Sequence, residues 1–175
     1  MAEMTKEKAL QIAQIAWDEV IKRGLAVLQH PERYAYFYGA KGQILTDAVM
    51  EALWQAYPEH FSRYTAADKK RIFDYSRGKI GYDCSGFVGM CVGDMVYSGA
   101  LIEHCNYIAP SLADGVAGSI LYKPGHVGLD IGYGFYLHMP TEGHSCELGR
   151  IREMVVPWTK SGQHRNVDYT GADAR

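Results

Sequence analysis

One cysteine and two histidines in this chain are of the types, and at the spacing, that could run nucleophilic chemistry. Cys84 follows Asp83 at what reads as a helix start, and His126 and His138 stand twelve positions apart on segments that alternate like strands. A thiol becomes a nucleophile when its thiolate is stabilised, and the free amides of a helix N-terminus and an imidazole partner both do this. The pattern therefore predicts that Cys84 titrates below the free-thiol value of about 8.5. The plainer alternative is a buried cysteine acting as a small hydrophobe.

Metal binding is the rival chemistry. Cys84, Cys105, Cys146, His104, His126, His138 and His144 could supply four ligands, but none shows the short paired spacing of structural zinc. No metal or other cofactor is implied. His104 and His144 read as polar loop residues, His30, His60 and His164 as solvated surface, and Asp130 as a solvated strand residue. Cys84 and Cys91 lie seven apart on one predicted helix, about 10 Å between Cα atoms and beyond disulfide reach. Free thiols, and hence a reducing compartment, are expected.

The elements that must position these residues come in two blocks. Apolar residues recur every three or four positions from Thr5, a candidate cap, to about Gln29, including Leu10, Ala13, Trp17, Val20, Leu25 and Leu28, which predicts a first helix. The aromatic run Tyr34 to Gly42 reads as a loop or short strand. Thr46 opens a second helix stopped by Pro58, and Thr65 with Asp68 opens a third reaching about Ser76. Phe87, Val88, Cys91, Val92 and Met95 form a helical stripe after Asp83, and Gly86, Gly89 and Gly93 imply close packing there.

After Pro110 the period shortens to two. Ile120 and Tyr122, then Val127, Leu129 and Ile131, then Phe135 and Leu137 alternate with polar or small neighbours, which predicts antiparallel strands. Further strand-like pieces lie at 146–151 and 154–158. The polar tail 159–175 is expected to fray except where Tyr169 packs. Helices first and strands second make an α+β domain, expected to be single over 1–175 with a helical insertion at about 44–80.

Composition narrows the function. The 175 residues are 47% hydrophobic and 22% charged with a net charge of −2, so no electrostatic footprint for nucleic acid exists. No stretch approaches the roughly 20 apolar residues that span a bilayer. The start, Met-Ala-Glu-Met-Thr-Lys-Glu-Lys, has acids where a signal peptide wants only bases, so synthesis in the cytoplasm is expected.

Three blocks in order carry a resemblance. Tyr82-Asp83-Cys84-Ser85-Gly86-Phe87-Val88, then Gly125-His126-Val127-Gly128-Leu129-Asp130-Ile131-Gly132-Tyr133-Gly134, then His138, resemble the NlpC-type family of papain-like cell-wall cysteine peptidases. The resemblance implies an NlpC-type fold with N-terminal helices on an antiparallel sheet, and a peptidase or amidase acting on peptidoglycan stem peptides. It implies Cys84 as nucleophile, His126 as general base and His138 as the polar group that orients it. The Cys84 backbone N–H would serve the oxyanion.

By the same resemblance Tyr36 lies near the nucleophile on the substrate side. Ser85 is the other candidate substrate-side residue and could anchor the helix start. The 48 positions from Tyr36 to Cys84 exceed the family's usual separation and hold the two extra helices. With Tyr38-Gly39-Ala40-Lys41-Gly42-Gln43, they resemble phage or prophage lytic enzymes of Gram-positive hosts. That implies action on the cell wall after phage-type release. A non-catalytic wall-binding or phage-particle module, and a thiol acyltransferase or amidase on another substrate, are the alternatives.

For His138 to orient His126 both must face one way. Opposed residues on antiparallel strands share a face and have a constant index sum, which must here be even. A three-residue loop Gly132-Tyr133-Gly134, with Ile131 opposite Phe135, satisfies this. A two-residue turn does not, unless a bulge restores the phase.

Overall fold

The structure is a computed structural model describing residues 14–173, so Thr5, Leu10, Ala13 and the last two residues of the predicted tail lie outside the described residues. The first helix does not run unbroken from Thr5. Ile15–Ala16 (β1) is extended and pairs in parallel with Val167–Asp168 (β11), and helix α1 begins at Trp17 and ends at Leu28. Two parallel bridges thus tie the beginning of the described chain to its end.

A three-stranded sheet then delivers the helix that carries Cys84. Tyr34–Tyr36 (β2) and Lys41–Ile44 (β3) flank Ile80–Tyr82 (β4), with β2 parallel to β4 and β3 antiparallel to it. Tyr36 is opposite Tyr82, two residues before Cys84.

Between β3 and β4 lie Asp47–Ala56 (α2), the short Pro58–Phe61 (α3) and Ala66–Ser76 (α4). Thr46 caps α2, and Thr65 with Asp68 forms the expected capping box on α4. Pro58 ends one helix by opening the next, where a proline needs no N–H. This segment has its own core of Phe37, Leu45, Met50, Phe61 and Ile72.

Helix α5, Cys84–Val92, follows β4 directly and is buried on nearly every side. Phe87, Val88, Cys91 and Val92 are inaccessible to solvent, a contribution of roughly 1.5–3 kcal/mol for each large side chain. The stripe does not extend to Met95, which lies beyond Gly93 and is exposed. Gly93 closes the helix at φ 71°, and Gly86 allows the Ala40 carbonyl within 2.6 Å of where a Cβ would sit.

Ser98–Glu103 (α6) leads into a six-stranded antiparallel sheet ordered β5-β10-β6-β7-β8-β9. Its strands are Cys105–Ile108 (β5), Ile120–Lys123 (β6), His126–Gly132 (β7), Phe135–His138 (β8), Glu147–Arg150 (β9) and Lys160–His164 (β10). The fold class read from the sequence, helices on an antiparallel sheet, is the one observed.

Two expectations about the C-terminal third are corrected. Residues 154–158 are not a strand but an irregular segment that carries the buried Trp158. Residues 160–164 do not fray. Their polar sequence, Lys-Ser-Gly-Gln-His, is an interior strand between β5 and β6, because Gly162 lets the Cys105 sulfur and Ile102 pack against it. Tyr169 packs as expected, accepting from the His164 amide and donating to the Gly118 carbonyl.

Candidate active site

Cys84 owes its place to Asp83. One Asp83 carboxylate oxygen accepts from the Gly86 amide at 2.6 Å, from Ser85 Oγ at 2.9 Å and from Lys41 Nζ at 2.8 Å, and the other accepts from the Gly39 amide at 3.2 Å. This caps α5 and fixes the Tyr38–Lys41 segment against its first turn. Ser85 is buried, and its hydroxyl also accepts from Lys41 Nζ at 2.5 Å. The structure places Ser85 within the helix anchor. Lys41 went unnoticed in the sequence because a lone lysine in a polar turn carries no signal.

The Cys84 thiol is 9% exposed. Burial and the Asp83 charge push it up to about 11, while the Val127 and Ser85 amides and Lys41 pull it down. The expected depression is therefore overturned, because the first turn that offers amides to the sulfur also sets a buried carboxylate beside it. Alkylation of Cys84 by iodoacetamide is expected to accelerate about tenfold per pH unit from pH 8 to 10, following the thiolate fraction. A plateau reached below pH 8 would show the opposite balance.

The histidines come from the β7–β8 hairpin. Its turn is the two-residue Tyr133-Gly134, with Gly132 opposite Phe135, not the predicted three-residue loop. Both turn residues have positive φ, 54° and 79°, as a tight hairpin of that twist requires. A bulge between Asp130 and Gly132 then returns the register to Asp130 opposite Tyr136 and Leu129 opposite Leu137. Asp130 is fully buried rather than solvated, and its carboxylate accepts from the Gly132 amide at 2.9 Å. That bond fastens the bulge which puts both histidines on one face.

On that face His126 Nε2 and His138 Nδ1 are 2.9 Å apart. Trp158 stacks on the His126 ring at 5.5 Å, and Gly128 leaves its indole room. Val127, Leu129 and Leu137 turn the other way into the core that holds Cys84. His126 is the first residue of β7, so its ring stands at the strand end beside the Val127 amide that faces the sulfur. No hydrogen bond joins Cys84 to His126, and His126 Nδ1 has no partner among the described residues.

Burial and the neighbouring His138 push His126 down to about 3; burial, against the pull of Glu147, lowers His138 to about 4. Both rings are neutral at pH 7. Since their folded pKa values lie below the ordinary 6.5, the unfolded chain takes up protons first as pH falls. Stability is full above about 6.5 and drains as pH drops toward 3–4, by about 2 kcal/mol per histidine between pH 6.5 and 5. In urea titrations, His138→Gln should reduce the loss between pH 7 and 5 by roughly 1–2 kcal/mol, and an unchanged loss would contradict these shifts.

Tyr36 is buried, and its phenol is raised by burial and then by the nearby Cys84. Its neighbourhood holds a residue the sequence reading missed. Glu142, whose side chain is wholly buried, accepts from His60 Nε2 at 2.6 Å, Tyr64 OH at 2.5 Å, Arg63 at 3.3 Å and Thr141 Oγ1 at 3.1 Å. His60 is thus not solvated surface. It stacks on Tyr38 at 3.8 Å and joins the inserted helices to the loop after β8. A glutamate in a Gly-rich loop offers no sequence pattern that could have revealed this.

Among the described residues one group has the spacing of metal ligands, Asp94, His104 and His164, with ligand atoms within 4.8 Å of one another. Asp94 Oδ2 lies 2.7 Å from His104 Nδ1 and 3.1 Å from His164 Nε2, with Arg165 3.8 Å away. His164 Nδ1 accepts from the Asn166 amide, so its Nε2 carries the proton and offers a cation no lone pair. The trio clasps the segment after α5 to β10, which corrects the reading of His104 as a loop residue and His164 as surface. His144 is exposed and pairs with Glu147 at 2.7 Å, and His30 is exposed as expected.

The largest recess, about 930 Å³, is lined by Tyr133, Phe135, Arg150 and Met154 at the turn end of the hairpin, away from Cys84 and the histidines. A second, about 510 Å³, is lined by Tyr38, Ala56, Tyr57, Pro58, Glu59 and His60.

No family model matches this chain, and no curated protein matches it in sequence. Solved structures do. A hypothetical invasion protein of Mycobacterium tuberculosis overlays with a TM-score of 0.54 at 19% identity, covering 91% of this chain and 65% of that one. The resuscitation promoting factor interacting protein RipA gives 0.53 at 19%, covering 89% and 63%. NlpC1 from Trichomonas vaginalis gives 0.52 at 16%, covering 86% and 48%. The chain spans less than two thirds of each. At these identities the likeness is one of fold, the papain-like NlpC type.

Proposed function

We propose that this domain is a cysteine peptidase or amidase that cleaves peptidoglycan stem peptides. The observation that carries the reading is the meeting of Cys84, at the start of a buried helix, with the strand end that bears the bonded His126–His138 pair. The NlpC-type fold and the three-block sequence resemblance support the substrate class. So does the wall-lytic setting inferred from the inserted helices, with action at the cell wall after phage-type release.

Because thiol and imidazole are both neutral at rest, attack and proton transfer go together. Cys84 Sγ bonds to the scissile carbonyl carbon while its proton passes to His126 Nδ1. The Nε2–H of His126 donates to His138 Nδ1 throughout, which fixes the tautomer that leaves Nδ1 basic. His138 is held neutral and can accept that proton-bearing nitrogen. The Cys84 N–H, without a partner among the described residues, would receive the oxyanion. His126 then returns the proton to the leaving amine, and water releases the acyl group from sulfur.

Mass spectrometry of purified muropeptides after incubation tests this directly. Fragments that differ by one hydrolysed amide are expected. Intact muropeptides with active wild-type protein would favour a binding module, and acyl transfer without net hydrolysis would favour a transferase.

A further inference from the structure

The 44–80 segment builds the recess of about 510 Å³ next to the candidate site. Its walls are aromatic on two sides. The Tyr38 and Tyr57 rings meet edge to face at 5.1 Å and 82°, and Tyr57 is 40% exposed. Gly39, at φ +80°, lets the Tyr57 ring lie where a Cβ would stand. His60 stacks on Tyr38 from the other side, held by buried Glu142. Glu59 supplies the one carboxylate of the lining, and that carboxylate makes no hydrogen bond or ion pair among the described residues. No lysine or arginine lines the recess.

The recess is coupled to the candidate nucleophile. The Gly39 amide, next in chain to Tyr38, donates to Asp83, the residue before Cys84. Tyr38 therefore belongs to both the recess wall and the anchor of the nucleophile helix.

Electron-rich ring faces beside an unpaired carboxylate attract a cation and offer little to an anion. We propose that this recess is a subsite for a side-chain ammonium of the peptide substrate, so that the domain prefers stem peptides with a diamino residue near the cleaved bond. The inference rests on the peptidase reading above and narrows its substrate class. Glu59 and Tyr57 are specificity-determining residues in it, with no part in bond cleavage.

The test uses a synthetic stem tetrapeptide with lysine at its third position and the same peptide acetylated on Nε, titrated calorimetrically into Cys84→Ala protein so that binding is read without turnover. Acetylation should weaken binding about tenfold. Adding Glu59→Gln or Tyr57→Leu should shrink that ratio below threefold, with unchanged thermal melting for Glu59→Gln. With wild-type protein, acetylation should raise KM and leave kcat unchanged.

Equal affinity for the two peptides, binding of neither, or a tenfold ratio that survives both substitutions would overturn the proposal. So would competition by a peptide-free disaccharide that Tyr57→Leu abolishes, which would assign the recess to sugar. If the ratio behaves as expected but wild-type protein cleaves no muropeptide, the ammonium subsite stands and the peptidase reading falls.

Discussion

Cys84→Ala is expected to cut muropeptide turnover at least a thousandfold while the far-UV spectrum and melting temperature stay near wild type. The sulfur is the atom that would form the acyl bond, and no other thiol can replace it. Cys91 is inaccessible inside α5, Cys146 is buried beside β9, and Cys105 hydrogen-bonds the Leu101 carbonyl. Their substitution by alanine should cost stability, chiefly for Cys91, and leave kcat largely unchanged. Removing a covalent nucleophile eliminates a whole reaction step, which is why the effect is far larger than loss of a binding contact. Side-chain removal at the first position of the helix leaves the Asp83 cap in place, so folding should survive. Cleavage by Cys84→Ala at a wild-type rate would end the thiol mechanism.

Glu142→Ala should be the most damaging substitution for stability, about 3–5 kcal/mol. The carboxylate is wholly buried and satisfies His60, Tyr64 and Arg63 at once, and its loss leaves those groups facing an apolar hole. For a domain of this size that corresponds to a fall in Tm of about 10 °C. Glu142→Gln, which keeps an acceptor and the volume, should lose roughly half as much.

The pH dependence separates Glu142 from the histidines. Burial alone would raise its carboxyl, but the bonds from His60 and Tyr64 outweigh that and hold it at about 2. A folded pKa below the ordinary carboxylate value means that its stabilisation is present above about 4.5 and disappears as pH falls through 2. Glu142→Gln should flatten the acid limb in that window and leave the histidine window, between about 6.5 and 3–4, unchanged. Unaltered melting of Glu142→Ala at pH 7 would show that the insertion does not depend on this clasp.

How much of this was legible beforehand varies by the range of the forces involved. Helix starts at Thr46, Thr65 and Asp83 were readable because a cap and its partner amide lie within three residues. The β6, β7 and β8 strands were readable because alternation is a local record of which face is buried. The polar strand β10 was not, since its burial comes from α6 and β5, more than fifty residues earlier, packing over a glycine. The same holds for His60 and Glu142, which are 82 positions apart and meet only through the insertion's docking.

Within the candidate site, residue types and chain order determined by themselves that a cysteine would open a buried helix and that two histidines would stand on adjacent strands. Capping and alternation are nearest-neighbour effects, and no distant contact is needed to express them. Whether the histidines met was decided by a bulge pinned by buried Asp130, since a one-residue change of register would have turned one ring to the opposite face. Tertiary structure also decided the state of the thiol. The sequence places amides beside the sulfur, but only packing sets how much water is removed from it and how near the Asp83 charge lies, and those two effects outweigh the amides.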